Sequence, residues 1–153
     1  DRVSRGLGDV YKRQVMHPDY RKLNFDFVSK YKGFSLLAEY SISTATGLEN
    51  LYTGSIIQAL EPSEIATYLS LGSGLSTHIH YTSKSGYSIG LVYVHIEAEF
   101  DRDDSILKNS NSKTFVFSKR IANSSLTLQN STSIINFNSQ QIIKNQCSVQ
   151  LCF

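Results

Sequence analysis

From residue 23 onward apolar and polar positions alternate with a period of two, broken by turn residues, which predicts β-strands rather than helices. Leu23, Phe25, Phe27, Ser29 and Tyr31 fall on one face of a first strand, with Asn24, Asp26, Val28 and Lys30 on the other. Lys32-Gly33 predicts a tight turn, because glycine supplies the positive φ that a short hairpin needs. A second strand sets Phe34, Leu36, Ala38, Tyr40 and Ile42 against Ser35, Leu37, Glu39 and Ser41. Residues 44–68 read as a long connection with one helical turn after Glu61-Pro62-Ser63-Glu64. A third strand over 69–82 sets Leu75, Thr77, Ile79 and Tyr81 against Ser76, His78, His80 and Thr82. Gly72 and Gly74 inside it predict a bulge or a sharp bend. After Ser83-Lys84-Ser85-Gly86 a fourth strand runs over 87–97. An acidic loop over 98–111 precedes a fifth strand over 112–121, with Phe115, Phe117 and Ile121 in phase. Ala122-Asn123-Ser124 turns the chain into a sixth strand over 125–137, whose apolar phase slips midway and so predicts a bulge or a misplaced boundary. A short polar loop, 138–141, leads to a seventh strand over 142–153.

The implied fold class is all-β: an antiparallel up-and-down meander of about seven strands. Connections after the first, third and fifth strands are short, and those after the second, fourth and sixth are longer. Outer-membrane barrels alternate in this way, with short periplasmic turns and long extracellular loops, and this predicts a fragment of a transmembrane β-barrel whose last strand ends on the periplasmic side. Seven alternating strands would bring the first and last together in parallel, so the segment is not expected to close a barrel alone.

Composition sharpens that picture. No apolar run reaches the roughly 18 residues a membrane helix needs, whereas barrel strands are only mildly apolar. The chain holds 9 Tyr and 8 Phe but no Trp, and Tyr31, Phe34, Tyr81 and Tyr87 flank two of the short turns, where an interfacial aromatic girdle belongs. With 15 Lys and Arg against 13 Asp and Glu the net charge is +2, too weak to argue for a nucleic-acid partner.

Candidate chemistry is sparse. Asp26, Lys30, Glu39, His78 and His80 share the polar phase and are expected to face a wet lumen. His78 and His80 are two ligands at most, short of a closed metal site. Asp26 and Glu39 form no evident acid–base couple, so no catalytic residue, metal or cofactor is expected. Cys147 and Cys152 are an odd number of residues apart, on opposite faces of a strand and about 16 Å apart along it, so they are not expected to pair. At the end of the chain Val149, Leu151 and Phe153 share an apolar face, with Gln146, Ser148 and Gln150 on the other; a terminal Phe on such a strand resembles the signal read by the barrel-assembly machinery.

Tyr31-Lys32-Gly33-Phe34-Ser35 with Ala38-Glu39-Tyr40, Leu71-Gly72-Ser73-Gly74 leading into the hairpin around Ser85-Gly86-Tyr87 and Tyr93, and the terminal Phe153 together resemble the phosphate-selective porin O and P family in its Bacteroidetes-like branch, over residues 23–153. The resemblance implies a trimeric or monomeric outer-membrane pore of roughly 16 to 18 strands in contact with outer-membrane lipid. The departure concerns charge: the polar phase offers Lys30 and either Lys119 or Arg120 against Asp26 and Glu39, so no basic cluster suits a phosphate ring. Residues 1–14 resemble a translated sequencing adapter and are expected to lie outside the fold, leaving 15–153 as the C-terminal part of a porin barrel; the missing initial Met and leader fit a truncated reading frame. Two alternatives to passive diffusion of small solutes are a soluble lipocalin-like binding module, which would be apolar inside and polar outside, and the C-terminal barrel of an outer-membrane receptor.

Overall fold

A computed structural model describes residues 19–46, 62–121 and 126–151. Seven strands form one sheet: β1 (Asp19–Tyr31), β2 (Phe34–Thr46), β3 (Gly72–Thr82), β4 (Tyr87–Ala98), β5 (Ser110–Arg120), β6 (Leu126–Phe137) and β7 (Gln140–Leu151). They are hydrogen-bonded in chain order, each antiparallel to the next, and the sheet is not closed. The expected helical turn is a 3₁₀ turn over Pro62–Thr67. The expected behaviour of residues 1–14, and the positions of Cys152 and Phe153, lie outside the described residues.

Cross-strand partners share a face, so the registers sort every strand residue into two sets. Phe25, Leu36, Tyr40, Ile79, Leu91, Val149 and Leu151 belong to one set, as their shared phase predicts. Every strand aromatic except Tyr20 and Phe137 belongs to it too. The other set is rich in Ser, Thr and Gln and includes Asp26, Lys30, Glu39, His78 and His80. In β4 and β5 the aromatic-bearing set is the more exposed one: Tyr87, Ile89, Leu91, Phe115 and Phe117 are open, while Ser88, Gly90, Val92, Thr114 and Val116 are recessed. The sheet is therefore concave on its polar face.

The short-turn ends form a staircase. A single cross-strand row runs through Tyr31, Phe34, Tyr81, Ile89, Phe117, Asn130 and Cys147. Pairing in the β1–β2 hairpin stops at this row. In β3–β4 it continues two residues further, to the bond from Ser83 N–H to the Tyr87 carbonyl, and in β5–β6 four residues further, to Ile121 N–H on the Leu126 carbonyl. The ends thus recede by one residue per strand. With ~3.3 Å of rise per residue and ~4.8 Å between strands, that stagger corresponds to a strand tilt of ~35°, the value of a closed membrane barrel.

Several boundaries depart from the periodic pattern. β1 begins at Asp19 and β2 ends at Thr46, beyond the apolar alternation, because pairing continues where both faces are polar. No bulge occurs at Gly72 or Gly74; the β2–β3 and β3–β4 registers run without a gap. Gly72 serves close approach instead: at φ 142 a Cβ there would lie 2.2 Å from the Glu97 carbonyl oxygen. β6 has no bulge either; its apolar residues change face, Leu126, Leu128 and Ile134 on one side and Ile135 and Phe137 on the other. The β6–β7 connection is not the longer loop that the alternation predicts. It is a two-residue turn, with Asn138 and Ser139 both at positive φ (48° and 60°), the geometry that matches the twist of a hairpin.

Among the described residues there is almost no interior. Ala66 and Leu71 are the buried hydrophobic residues among those described, and Ala45, Leu69 and Phe100 pack against Leu71. This small cluster joins the two long connections at one end of the sheet. Elsewhere Phe25, Phe27, Tyr31, Phe34 and Leu91 stay largely exposed.

Candidate functional site

The recessed polar face is the candidate site. Its wall is built by strand alternation alone, since residues that point away from the aromatic set must point into the concavity. Asp26 and Glu39 stand directly opposite each other across β1 and β2, with Ser76 next in the row. They help line a depression of about 410 Å³ with Lys22, Asn24, Ser41 and Ser76. Lys30 lies in the row of Ser35, His80 and Gly90. The ring of His80 lies over Gly90, where an added Cβ would meet its Cδ2 at 2.9 Å. His78 is occupied by a neighbour: its Nε2 is 3.0 Å from Ser76 Oγ. Among the described residues no three His, Cys, Asp or Glu side chains come together as metal ligands.

The register also decides which basic groups face this side. Arg120 does, whereas Lys119 lies on the aromatic face, where its Nζ donates to the Tyr87 hydroxyl at 2.8 Å and sits over that ring. Lys22 and Lys144 also belong to the polar face. Sequence alternation misses Lys22 because it precedes the apolar run, and gives Lys144 no face because the adjacent Ile142 and Ile143 fall on opposite faces of β7. Four basic side chains, Lys22, Lys30, Arg120 and Lys144, thus share the face with Asp26 and Glu39, spread along it rather than gathered in a ring.

Two further features frame the site. At the long-connection end the Ser70 carbonyl accepts from Ser43 Oγ at 2.6 Å and from the Tyr20 hydroxyl at 3.3 Å. Tyr20 and Ser43 are on the polar face, so the segment entering β3 is drawn over that side. Beside it Arg102 bonds Ser63 Oγ at 3.0 Å and Asp104 at 3.1 Å, tying the 3₁₀ turn to the β4–β5 loop. The Arg102 hydrogen bond holds the Asp104 carboxyl below its ordinary value. At the short-turn end the expected aromatics come together: Phe34 and Tyr81 at 4.5 Å between ring centroids, and Tyr87 and Phe117 at 6.2 Å. Of the expected assembly signal, Val149 and Leu151 are exposed on the aromatic face, and Phe153 lies outside the described residues.

Comparison with known proteins adds no relative: no family model, curated protein or solved structure matches the chain. Among the described residues no helix is long and apolar enough to cross a membrane, a statement that leaves strands untouched.

Proposed function

We propose that this chain supplies seven adjacent strands to an outer-membrane β-barrel of the porin type, similar to the phosphate-selective porin O and P family, and that the barrel passes small hydrophilic solutes without chemistry. The observation that carries this reading is the inverted polarity of a sheet with almost no core. A soluble sheet of this size would bury its apolar face. Here Phe25, Leu36, Ile79, Leu91 and Phe115 lie on the convex side, and the concave side is lined mainly by Ser, Thr and charged residues, with Val92, Val94 and Ile96 of β4 as an apolar stripe among them. A lipocalin-like module has the opposite arrangement.

The dimensions support it as well. The apolar run from Leu23 to Tyr31 on β1, matched by Phe34 to Ile42 on β2, is eight residue steps long. At ~35° of tilt each step rises ~2.7 Å, so the band is ~22 Å tall, close to the ~25 Å of barrel proteins. In such a wall every strand N–H and C=O is paired once the barrel closes, lipid covers the band, and water fills the concave side. β1 and β7 run in the same direction, so antiparallel closure requires an odd number of further strands between them. Solute choice would be weak, since the basic residues of the wall are dispersed and opposed by Asp26 and Glu39. The barrel-assembly machinery would be the partner for insertion through the last strand.

The test is single-channel recording of the full-length barrel carrying this segment, purified from outer membranes and added to planar bilayers. Stepwise conductance that scales with salt concentration is expected. A folded, membrane-inserted protein without conductance would refute the pore. A soluble, monomeric, cooperatively folding preparation of residues 15–153 would refute the barrel.

A further inference from the structure

We propose that the long-connection end of β4, β5 and β6 carries, on its outer face, a binding site for the phosphorylated sugar headgroup of an outer-leaflet glycolipid; this rests on the barrel reading above. The site is a depression of about 380 Å³ walled by three short segments, 95–97, 109–111 and 136–139. In the first two, His95, Glu97 and Asn111 belong to the convex set, while Ile96 and Ser110 between them point to the concave side. Asn136 is convex as well. The depression therefore opens outward, away from the pore.

Its donors and acceptors suit a sugar. Asn136 Nδ2 donates to Asn111 Oδ1 at 2.9 Å. That bond leaves the Asn111 amide nitrogen as a donor and the Asn136 amide oxygen as an acceptor, both without a protein partner among the described residues. Glu97 adds a carboxylate acceptor that joins no ion pair among the described residues. Beside it the Tyr93 and His95 rings lie parallel, with 5° between their planes and 6.4 Å between centroids, a flat surface for the CH side of a sugar ring. A sugar hydroxyl both donates and accepts, so it can satisfy amide and carboxylate together.

Height selects the occupant. Counted from Tyr31, with one residue of stagger per strand, Phe115 lies six steps, ~16 Å, inside the short-turn edge of the band, and Lys113 eight steps, ~22 Å. His95 lies ~24 Å inside, Asn111 ~27 Å, and Glu97 and Asn136 ~30 Å, just beyond a band ~22 Å tall. Up the wall the outer face thus presents an aromatic ring, then a cation, then amides and a carboxylate. A glycolipid presents the matching order of acyl chain, phosphate and sugar hydroxyls. Lys113 is exposed, and its stem can carry the ammonium to the headgroup level. The opposite end shows what a phospholipid leaflet needs. There the outer face holds the pairs Phe34–Tyr81 and Tyr87–Phe117 with Lys119, and no amide among the described residues. Both ends have a lysine for phosphate; the amides and Glu97 are what the long-connection end adds, and they answer to hydroxyls.

The experiment titrates the full-length barrel, purified in detergent, with bisphosphorylated lipid A, with its dephosphorylated form and with phosphatidylglycerol, and counts bound lipid by native mass spectrometry. The parent is expected to bind bisphosphorylated lipid A at least about tenfold more tightly than phosphatidylglycerol. Asn111→Leu/Asn136→Leu is expected to lose about tenfold for both forms of lipid A, the worth of two hydrogen bonds, and nothing for phosphatidylglycerol. Lys113→Gln is expected to abolish the preference for the phosphorylated form. Equal affinity of the parent for lipid A and phosphatidylglycerol, or a double variant that binds like the parent, overturns the proposal. Displacement of lipid A by inorganic phosphate would make this a site for the free anion and overturns it too. Heat-modifiable mobility reports folded barrel independently: a parent without it in outer-membrane fractions defeats the barrel reading, whereas a folded parent that does not bind defeats the site alone. Should the double variant fail to fold, Lys113→Gln, a single exposed substitution, decides, and an unchanged preference for the phosphorylated form overturns the proposal.

Discussion

Leu91 offers the sharpest test of the polarity and depth assigned to the sheet. It lies on the convex face of β4, paired with Ile79 and Phe115 and about half exposed. The row containing Tyr31 passes through Ile89, Leu91 is two residues beyond, and three strand steps of stagger add three more. Five steps at ~2.7 Å put it ~13 Å inside a band ~22 Å tall, near the middle. Leu91→Arg should therefore cost ~3 kcal/mol of barrel stability, within the 2–4 kcal/mol expected of Arg at the midplane. That is roughly a 150-fold shift in the folding equilibrium. Leu23→Arg, on the same face at the far edge of the band, should cost no more than ~1 kcal/mol. Ser131→Arg, on the concave face between Val116 and Gln146, should change stability by only ~0.5 kcal/mol. The assay is guanidinium unfolding of the full-length barrel in lipid vesicles, followed by tyrosine fluorescence and electrophoretic mobility. Equal costs for Leu91→Arg and Leu23→Arg would refute the depth scale. A neutral Leu91→Arg beside a costly Ser131→Arg would reverse the faces and refute the membrane reading.

Three other outcomes are expected. Phe153→Asp should lower the amount of heat-modifiable barrel in outer-membrane fractions while leaving synthesis and export intact, and Phe153→Tyr should be mild; the basis is the exposed apolar phase of Val149 and Leu151, and equal amounts for Asp and parent would reduce the ending to an ordinary strand. Gly90→Ala should destabilise by ~1 kcal/mol because its Cβ would meet the His80 ring at 2.9 Å, and His80→Ala should remove most of that cost in a double-mutant cycle; additive effects would mean that the ring simply moves aside. Asp104 should titrate, by NMR, below an ordinary aspartate and return to the ordinary value in Arg102→Ala; because its folded value is lowered, whatever the Arg102 bond contributes is present above the unfolded value and lost as pH falls through the folded one.

Strand number, order and face were legible because one physical rule wrote them. A strand that separates an apolar surface from a polar one writes its own alternation, so Phe34, Leu36, Ala38, Tyr40 and Ile42 declare a face without reference to any other strand, whereas β4, with Leu91 on one face and Val92 and Val94 on the other, does so less sharply. Where that contrast ends the rule has nothing to read. Asp19-Tyr20-Arg21-Lys22 is paired strand, yet polar residues stand on both of its faces, and a boundary drawn from alternation falls at residue 23. Glycine misled for a related reason. Gly72 and Gly74 suggest a bulge, but Gly72 serves the close passage of the Glu97 carbonyl, a contact made by a strand more than twenty residues away. The short polar loop expected over 138–141 narrows to the two residues Asn138 and Ser139, which the sequence does not mark because their positive φ values are carried without glycine.

The candidate site divides in the same way. Asp26, Lys30, Glu39, His78 and His80 share a face because each is in polar phase within its own strand, a local property. That Asp26 meets Glu39, that His80 fills the space left by Gly90, and that Ser43 and Tyr20 both hold the Ser70 carbonyl are facts of register and closure. The polar cluster on β6 and β7, where Asn130 donates to Asn145 and Cys147 and Asn145 to Thr132, is the instructive case. In sequence, Asn130, Thr132, Asn145 and Cys147 look like ordinary polar punctuation in a Ser- and Asn-rich stretch. Only pairing brings them together, and only the stagger, summed across the sheet from Tyr31, reveals that Asn130 lies at the depth of Leu91 while Asn145 lies at the far edge of the band. A polar residue on a barrel strand acquires meaning from its depth, and depth is a property of the whole sheet that no single strand carries.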